Sequence, residues 1–247
     1  DVRRRLVEAG PREFIQDNEA WRIVLGADGV VSGWFWDASL VHGRNETDQS
    51  QTGDLLDSRL RPALGPSFID GSGTPTCGTP AAPLAGCVPL NLFGGAGSIT
   101  PAMLAWAGTT LEDSGYNEQT VVSANTTGSL LALPAGDLSV AVGVEYREET
   151  AADRPDPQTV LGNTSGSART PTTGSFDTRE AYVELGLPLL RDRLWAERLE
   201  LDAGVRFVDF SNFGNQTVAE LGLFWQPTAA LQFRGAWSEA FRAPNVR

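Results

Sequence analysis

The chain is poor in the residues that metal and nucleophilic chemistry use. With one histidine and two cysteines in 247 residues, it is one ligand short of a four-ligand structural Cys/His zinc site, and a single imidazole makes a Ser-His-Asp arrangement a weak prospect. Positive charge is also scarce. Lys+Arg number 19 against 31 Asp+Glu, a formal net charge of −12, which is the wrong sign for holding phosphate backbones and argues against nucleic acid as a partner. No stretch approaches the roughly 18 uninterrupted apolar residues of a membrane-spanning helix. The first residues, DVRRRLVEAG, contain no Met and no apolar core of a signal peptide, so the chain reads as an internal piece of a longer protein. What it has in quantity is 27 Gly and 15 Pro for turns, and 41% hydrophobic against 20% charged residues. That balance is too apolar for general disorder.

The clearest pattern is strict alternation. In LSVAVGVEYR, Leu138, Val140, Val142, Val144 and Tyr146 oppose Ser139, Ala141, Gly143, Glu145 and Arg147, the two-residue period of a strand. The same period places Leu199, Leu201, Ala203, Val205 and Phe207 on one face, and Ala181, Val183, Leu185 and Leu187 on another. Leu231, Phe233, Gly235 and Trp237 follow it too, while Thr217 to Trp225 obeys it with Val218 and Phe224 on the polar side. Earlier, Trp21, Ile23 and Leu25 and then Trp34, Trp36, Ala38 and Leu40 alternate around Asp28-Gly29, which reads as a hairpin turn. Residues 118 to 131 predict another strand, and residues 2 to 8 the end of one more.

Predicted connections run short, then very long (about 45 to 115), short, long (about 148 to 175), moderate (about 188 to 197), modest (about 210 to 216) and short (Gln226 to Ala229). Unequal loops at two ends suit an outer-membrane barrel. Strands of about 9 to 11 residues match a tilted bilayer span, and Trp21, Tyr146, Phe210, Trp225 and Trp237 fall near predicted strand ends as an interfacial aromatic ring requires. In a barrel, Arg206 and Arg234 face the interior with Glu145, Glu184, Glu200 and Asp202, because an arginine turned to lipid at mid-depth costs about 2 to 4 kcal/mol. Alternation alone does not say which solvent the apolar face meets. In a soluble sandwich the same six residues are a solvated face.

Between about 45 and 115 the period breaks. GDLLDSRLRPAL (53 to 64) suits a short helix, and Thr100-Pro101 opening TPAMLAWAG predicts a capped one. Cys77 and Cys87 lie in a Gly- and Pro-rich stretch, away from His42, and predict a loop disulfide formed in an oxidising compartment. Enzyme signatures fail: Gly162 to Gly166 misplaces Ser165 for a nucleophile elbow, and Gly94 to Gly97 follows no strand of a dinucleotide unit. Glu148-Glu149 and Asp153 with Asp156 read as solvated loop charge. No catalytic residue, metal site or cofactor is expected.

Four runs in order, GCVPLNLFGGAGSITPAML (86 to 104), TGSLLALPAGDLSVAVGVEYREE (127 to 149), GSFDTREAYVELGLPLL (174 to 190) and WSEAFRAPNV (237 to 246), resemble the barrel of a TonB-dependent outer-membrane receptor. The resemblance implies an all-β fold, an antiparallel transmembrane barrel segment of about eight or nine strands, with long extracellular loops carrying short helices. It makes residues 1–247 part of a barrel domain, without the plug domain or the C-terminal strands. It implies a receptor of the Gram-negative outer membrane that binds a scarce ligand outside and imports it with energy from the TonB complex. Its partners would be outer-membrane lipid, a plug domain of the same full-length chain, TonB and the transported small ligand. Trp106 and Tyr116 are loop aromatics able to contact that ligand. The alternatives are a diffusive porin-like channel and a soluble all-β carbohydrate-binding or hydrolase module.

Overall fold

The computed structural model describes residues 4–243. Eight strands form one sheet in the order β1 (Phe14–Val31), β2 (Trp34–Leu55), β6 (Gly108–Leu133), β7 (Gly136–Arg154), β8 (Thr172–Arg193), β9 (Ala196–Phe210), β10 (Gly214–Thr228) and β11 (Leu231–Ser238). Between β2 and β6 lie α1 (Asp57–Ala63), the short strands β3 (Ser67–Ile69), β4 (Pro75–Thr79) and β5 (Ala82–Pro83), and α2 (Pro101–Ala107); α3 (Pro157–Val160) follows β7. Two-residue turns at Ser32-Gly33, Pro134-Ala135, Leu194-Trp195 and Ala229-Ala230 alternate with connections over 56–107, 155–171 and 211–213. This is the all-β, unequal-loop architecture read from the sequence, as an open sheet: no further described strand pairs with β1 or β11.

Several boundaries differ from expectation. The first hairpin turns at Ser32 and Gly33, whose φ values of 51° and 84° are those of a tight two-residue turn, and Asp28-Gly29 lies inside β1. The longer pairing wins over the better turn dipeptide because Val30 and Val31 extend β1, and because a Cβ at Gly29 would come within 3.1 Å of the Trp36 indole. The connection expected at about 188 to 197 shrinks to Leu194-Trp195. The strands run to 18, 22 and 26 residues in β1, β2 and β6, well beyond about 10, because their outer portions, such as TDQSQTGDL, pair through the backbone without an apolar face to mark them. Residues 7–9 are a 3₁₀ turn, not a strand; the earlier part of that prediction at residues 2 and 3, and the last residues of WSEAFRAPNV, lie outside the described residues.

The chain divides into two compact units. The first holds residues up to Glu19, Glu46–Tyr116 and Ala152–Thr172; the second holds Ala20–Asn45, Asn117–Ala151 and Thr173 onward. In the first, Cys77 and Cys87 form a disulfide with Cα atoms 5.7 Å apart. They are buried with Ala63, and Leu90 and Trp106 pack on them. That small core joins α1, α2 and the β3–β4 hairpin. The Thr100 hydroxyl accepts from Met103 N to cap α2.

The same unit contains a clamp that the sequence did not announce. Arg4 donates to the carbonyls of Gly94 and Gly95 and to the Ser98 hydroxyl, at 2.8, 3.0 and 2.7 Å. Glu8 pairs with Arg4 and accepts from Gly97 N at 2.8 Å. Two residues four positions apart in the chain thus fix the loop NLFGGAGS, leaving Phe93 86% exposed at its tip. Its own backbone amide, then those of Gly97 and Ile99, and then the Arg4 guanidinium hold the Glu8 carboxyl below its ordinary value of 4.5.

Two outcomes are expected. A carboxyl with a lowered folded pKa contributes stability above its unfolded value and loses it as pH falls through the lowered one. Pepsin cleavage beside Phe93 is therefore low near pH 4.5 and rises toward pH 2, whereas Glu8→Gln is cut readily across that range. Cys77→Ser removes about 2 to 3 kcal/mol from the first unit, seen as faster proteolysis within residues 66–90 of the non-reduced protein.

Candidate functional site

The registers of β8 to β11 sort the second unit's side chains into two faces. On one, Leu185 lies opposite Ala203, Ala203 opposite Leu221, and Leu221 opposite Trp237. The next rows run Val183, Val205, Ala219 and Leu187, Leu201, Leu223, Gly235. Trp225 stacks on Phe233 with ring centroids 5.3 Å apart. These side chains are open: Leu221 is 48%, Phe207 52% and Trp237 54% exposed. In β7, Val142 and Val144 are exposed on the same side, while Val140 is buried. An apolar band this continuous exceeds what soluble proteins leave bare to water.

The opposite face is polar. Tyr182 pairs with Arg206, Glu184 with Gly204, Gly186 with Asp202 and Pro188 with Glu200, and Phe224 lies between Glu200 and Arg234. Glu184, Glu200, Asp202, Arg206 and Arg234 therefore share this face, and alternation from Gly143 puts Glu145 there too. Three of the six take an ion-pair partner from outside the set. Arg206 binds Glu180 across strands at 3.0 Å and lies over the Tyr182 ring; Glu200 is held by Arg198 of its own strand, and Glu145 by Arg147 at 2.7 Å. Arg198 and Arg234 both lie over Phe224, at 5.2 and 5.4 Å. That accounts for an aromatic residue on the polar side. The chain contains no lysine, so each of these cations is a planar guanidinium suited to ring faces and carboxylates.

Glycine decides what can meet across this face. Asn125 of β6 donates to Asp37 of β2 at 2.8 Å and accepts from the Tyr182 hydroxyl of β8 at 2.9 Å. Strand β7 stands between β6 and β8, and the bridge forms only because its residue there is Gly143. A Cβ at Gly143 would fall 2.3 Å from both Asn125 Oδ1 and the Tyr182 ring. Alternation identified Gly143 as a polar-face residue but not as a gap, since nothing in one strand reports what its neighbours reach across.

Toward the other end of these strands, Gln119 donates to Glu149 at 2.9 Å, beside a cavity of about 640 Å³ also lined by Trp21, Arg22 and Phe176. Its size falls in the usual range for ligand sites, and its lining mixes aromatic, amide and charged groups. Trp21 meets His42 edge-on at 5.1 Å, and His42 Nδ1 bonds the Thr120 hydroxyl at 2.9 Å. Phe210, expected in an interfacial ring, instead lies on the polar face opposite Thr178 and contacts Phe213 and Phe241. Of the two aromatics expected on the long loop, Trp106 lies in α2, whereas Tyr116 lies within β6, which begins earlier than its apolar alternation shows; both belong to the first unit. Trp106 donates its Nε1 to Arg59 O at 3.1 Å, with the Arg59 guanidinium over its ring; Tyr116 lies beneath Arg154 at 5.7 Å. Among the described residues, no group of three or more His, Cys, Asp or Glu is placed to hold a metal ion.

The family described as TonB dependent receptor-like, beta-barrel matches residues 10–247. The chain belongs to that family. Nothing among curated proteins or solved structures matches it. TonB-dependent receptors are transporters of the Gram-negative outer membrane and not enzymes, and membership of the family gives this chain an outer-membrane receptor role at that coarse level.

The Gly143 gap yields a direct expectation. Gly143→Ala drives a methyl into the Tyr182–Asn125 bond and costs about 1 to 3 kcal/mol by overpacking. Tyr182→Phe, which only deletes the bond, costs about 0.5 to 1.5 kcal/mol. Urea unfolding of the detergent-solubilised receptor measures both, and the glycine variant is the less stable.

Proposed function

We propose that residues 1–247 form part of the barrel domain of an active-transport receptor in the outer membrane, which binds a scarce ligand through its long loops and imports it with TonB-supplied energy. The observation that carries this reading is the pair of faces. A broad apolar band with no layer of described residues upon it suits acyl chains, and behind it Glu145, Glu184, Glu200, Asp202, Arg206 and Arg234 suit a water-filled interior. In this reading the barrel performs no bond chemistry. The loop residues dock the ligand, a plug domain of the full-length chain shifts when TonB pulls on it, and the polar wall solvates the passage.

The paired charges fit that role. Arginines already engaged by Glu180, by Glu200 or by Phe224 present a polar surface without a strong unpaired field, so a passing solute is wetted without being trapped. Outer-membrane lipid, plug, TonB and a small ligand are the partners this mechanism requires.

Two measurements test it. Leu223→Arg puts a guanidinium into lipid at a cost of about 2 to 4 kcal/mol and reduces the folded receptor recovered from outer membranes, whereas Ala236→Arg, on the polar face beside Gly222, leaves it near the parent amount. Equal yields would contradict the assignment of the faces. In cells carrying the full-length receptor, uptake from a labelled panel of ferric enterobactin, cyanocobalamin, haem and maltotriose disappears when TonB is deleted. Uptake that survives the deletion would make the protein a diffusive channel.

A further inference from the structure

Strand β11 stops before its neighbour does. It pairs with β10 only as far as Glu220–Ser238, whereas β10 continues along β9 to Gly214. Glu239 closes the ladder with its own side chain. Its amide donates to Ala219 O at 3.0 Å, but Ala219 N donates to the Glu239 carboxylate, at 3.2 Å, in place of the Glu239 carbonyl. In an antiparallel pair the N–H and C=O of one residue face the same neighbour, so those of Thr217 and Asn215 lie on this same edge. Among the described residues, no strand pairs with them there.

Beyond Glu239 the chain turns onto the polar face. Phe241 meets Phe210 edge-on at 5.6 Å, and Phe210 meets Phe213 at 6.1 Å. Ser238 and Glu239 line a cavity of about 210 Å³ with Tyr182, Arg206 and Glu220. A second seat is open to the same residues. Carried onward, the register sets Phe241 opposite Thr217 and Ala243 opposite Asn215, with Phe207 already opposite Thr217 on its other side. Phe241 then joins the outer apolar row beside Phe207 and Trp237. Pro244, with no N–H to donate, ends the pairing opposite Gly214.

We infer that Glu239–Ala243 is a two-state strap, folded over the polar wall beside Arg206 in this structure and able to zip onto the bare edge of β10, which uncovers that wall. Each seat supplies what the other gives up. The folded one has an aromatic cluster and a carboxylate cap; the zipped one has backbone pairs and an aromatic row, the kind of exchange that makes an element bistable. The bare edge lies at the loop end of the sheet, past Trp237, where water solvates its N–H and C=O groups as hydrocarbon does not. The inference goes beyond the transport reading and rests on it only in taking the wall to line a passage.

The test uses the full-length receptor, in detergent for amide exchange and in outer membranes for labelling. Glu239→Ala takes the carboxylate from Ala219 N, and Phe210→Ala weakens the folded seat alone and serves if Glu239→Ala fails to fold. Each is expected to slow hydrogen exchange at Thr217 and Asn215 by about tenfold or more. Each also speeds modification of Ser238→Cys by a charged methanethiosulfonate added outside, read by mass spectrometry on the peptide carrying position 238. Thr217→Pro removes a donor from the edge that faces the strap, a place where proline is tolerated; added to either variant, it restores fast exchange at Asn215 and slow labelling. Exchange that neither variant slows would overturn the strap, as would slowed exchange with unchanged labelling. Neither readout involves a ligand or TonB, so the two readings fail separately. TonB-independent uptake defeats the receptor and leaves the strap to the exchange data, whereas unchanged exchange in a TonB-dependent transporter defeats the strap alone.

Discussion

Hydrocarbon offers no partner to a backbone N–H or C=O, so a chain that crosses it in extended form must spend every such group on a neighbouring strand. That constraint shapes this protein. It explains why consecutive strands pair in chain order, why turns at one set of strand ends shrink to two residues, and why the sheet continues through regions with no apolar face at all. Once the ladder is satisfied, side chains are free to serve opposite solvents on alternate positions. The row from Leu185 to Trp237 and the row from Gly186 to Ala236 lie one residue apart on the same backbone. A slip of one position would exchange them entirely.

On the polar face the limiting quantity is room. Large polar side chains reach across strands only where the strand between is bare, and glycine makes it so. Gly143 opens the way from Tyr182 to Asn125, Gly204 lies beneath Glu220, and Gly128 lies beneath the Trp34 indole. None of these three has a positive φ; they are placed for clearance, not for turning. The wall is thus built as alternating large and absent side chains, with guanidinium groups settled on carboxylates and rings.

The first unit follows a different logic. Its elements are short, and isolated two- or three-residue strands have little stability of their own. A disulfide, the helical turns capped by Thr100 and Asp156 and the Arg4–Glu8 clamp substitute for a large core. The result is a fixed scaffold for exposed groups such as Phe93 and for the small cavity around Asp54. The packing of Trp106 against Cys77 and Cys87 and its mutual hydrogen bonds with Arg59 place that aromatic among the supports.

Sequence alone determined the period, the class of fold, the two faces of β8 to β11, the disulfide, the cap of α2 and the receptor family. These are local properties: alternation is written in neighbouring residues, and Cys77 and Cys87 had only each other to pair with. Asp28-Gly29 is the better local turn dipeptide, and only the fit of Trp36 over Gly29 shows that the longer pairing prevails. Alternation marks only the part of a strand with two unlike faces, so the outer portions of β1, β2 and β6 leave no trace in it. The partners of Arg206 and Arg234, the reach of Tyr182 across β7, the inward turn of Phe210 and the buried carboxylate of Asp54 were decided by tertiary structure. Each depends on distances between strands or loops far apart in the chain, which no periodicity within one segment can encode.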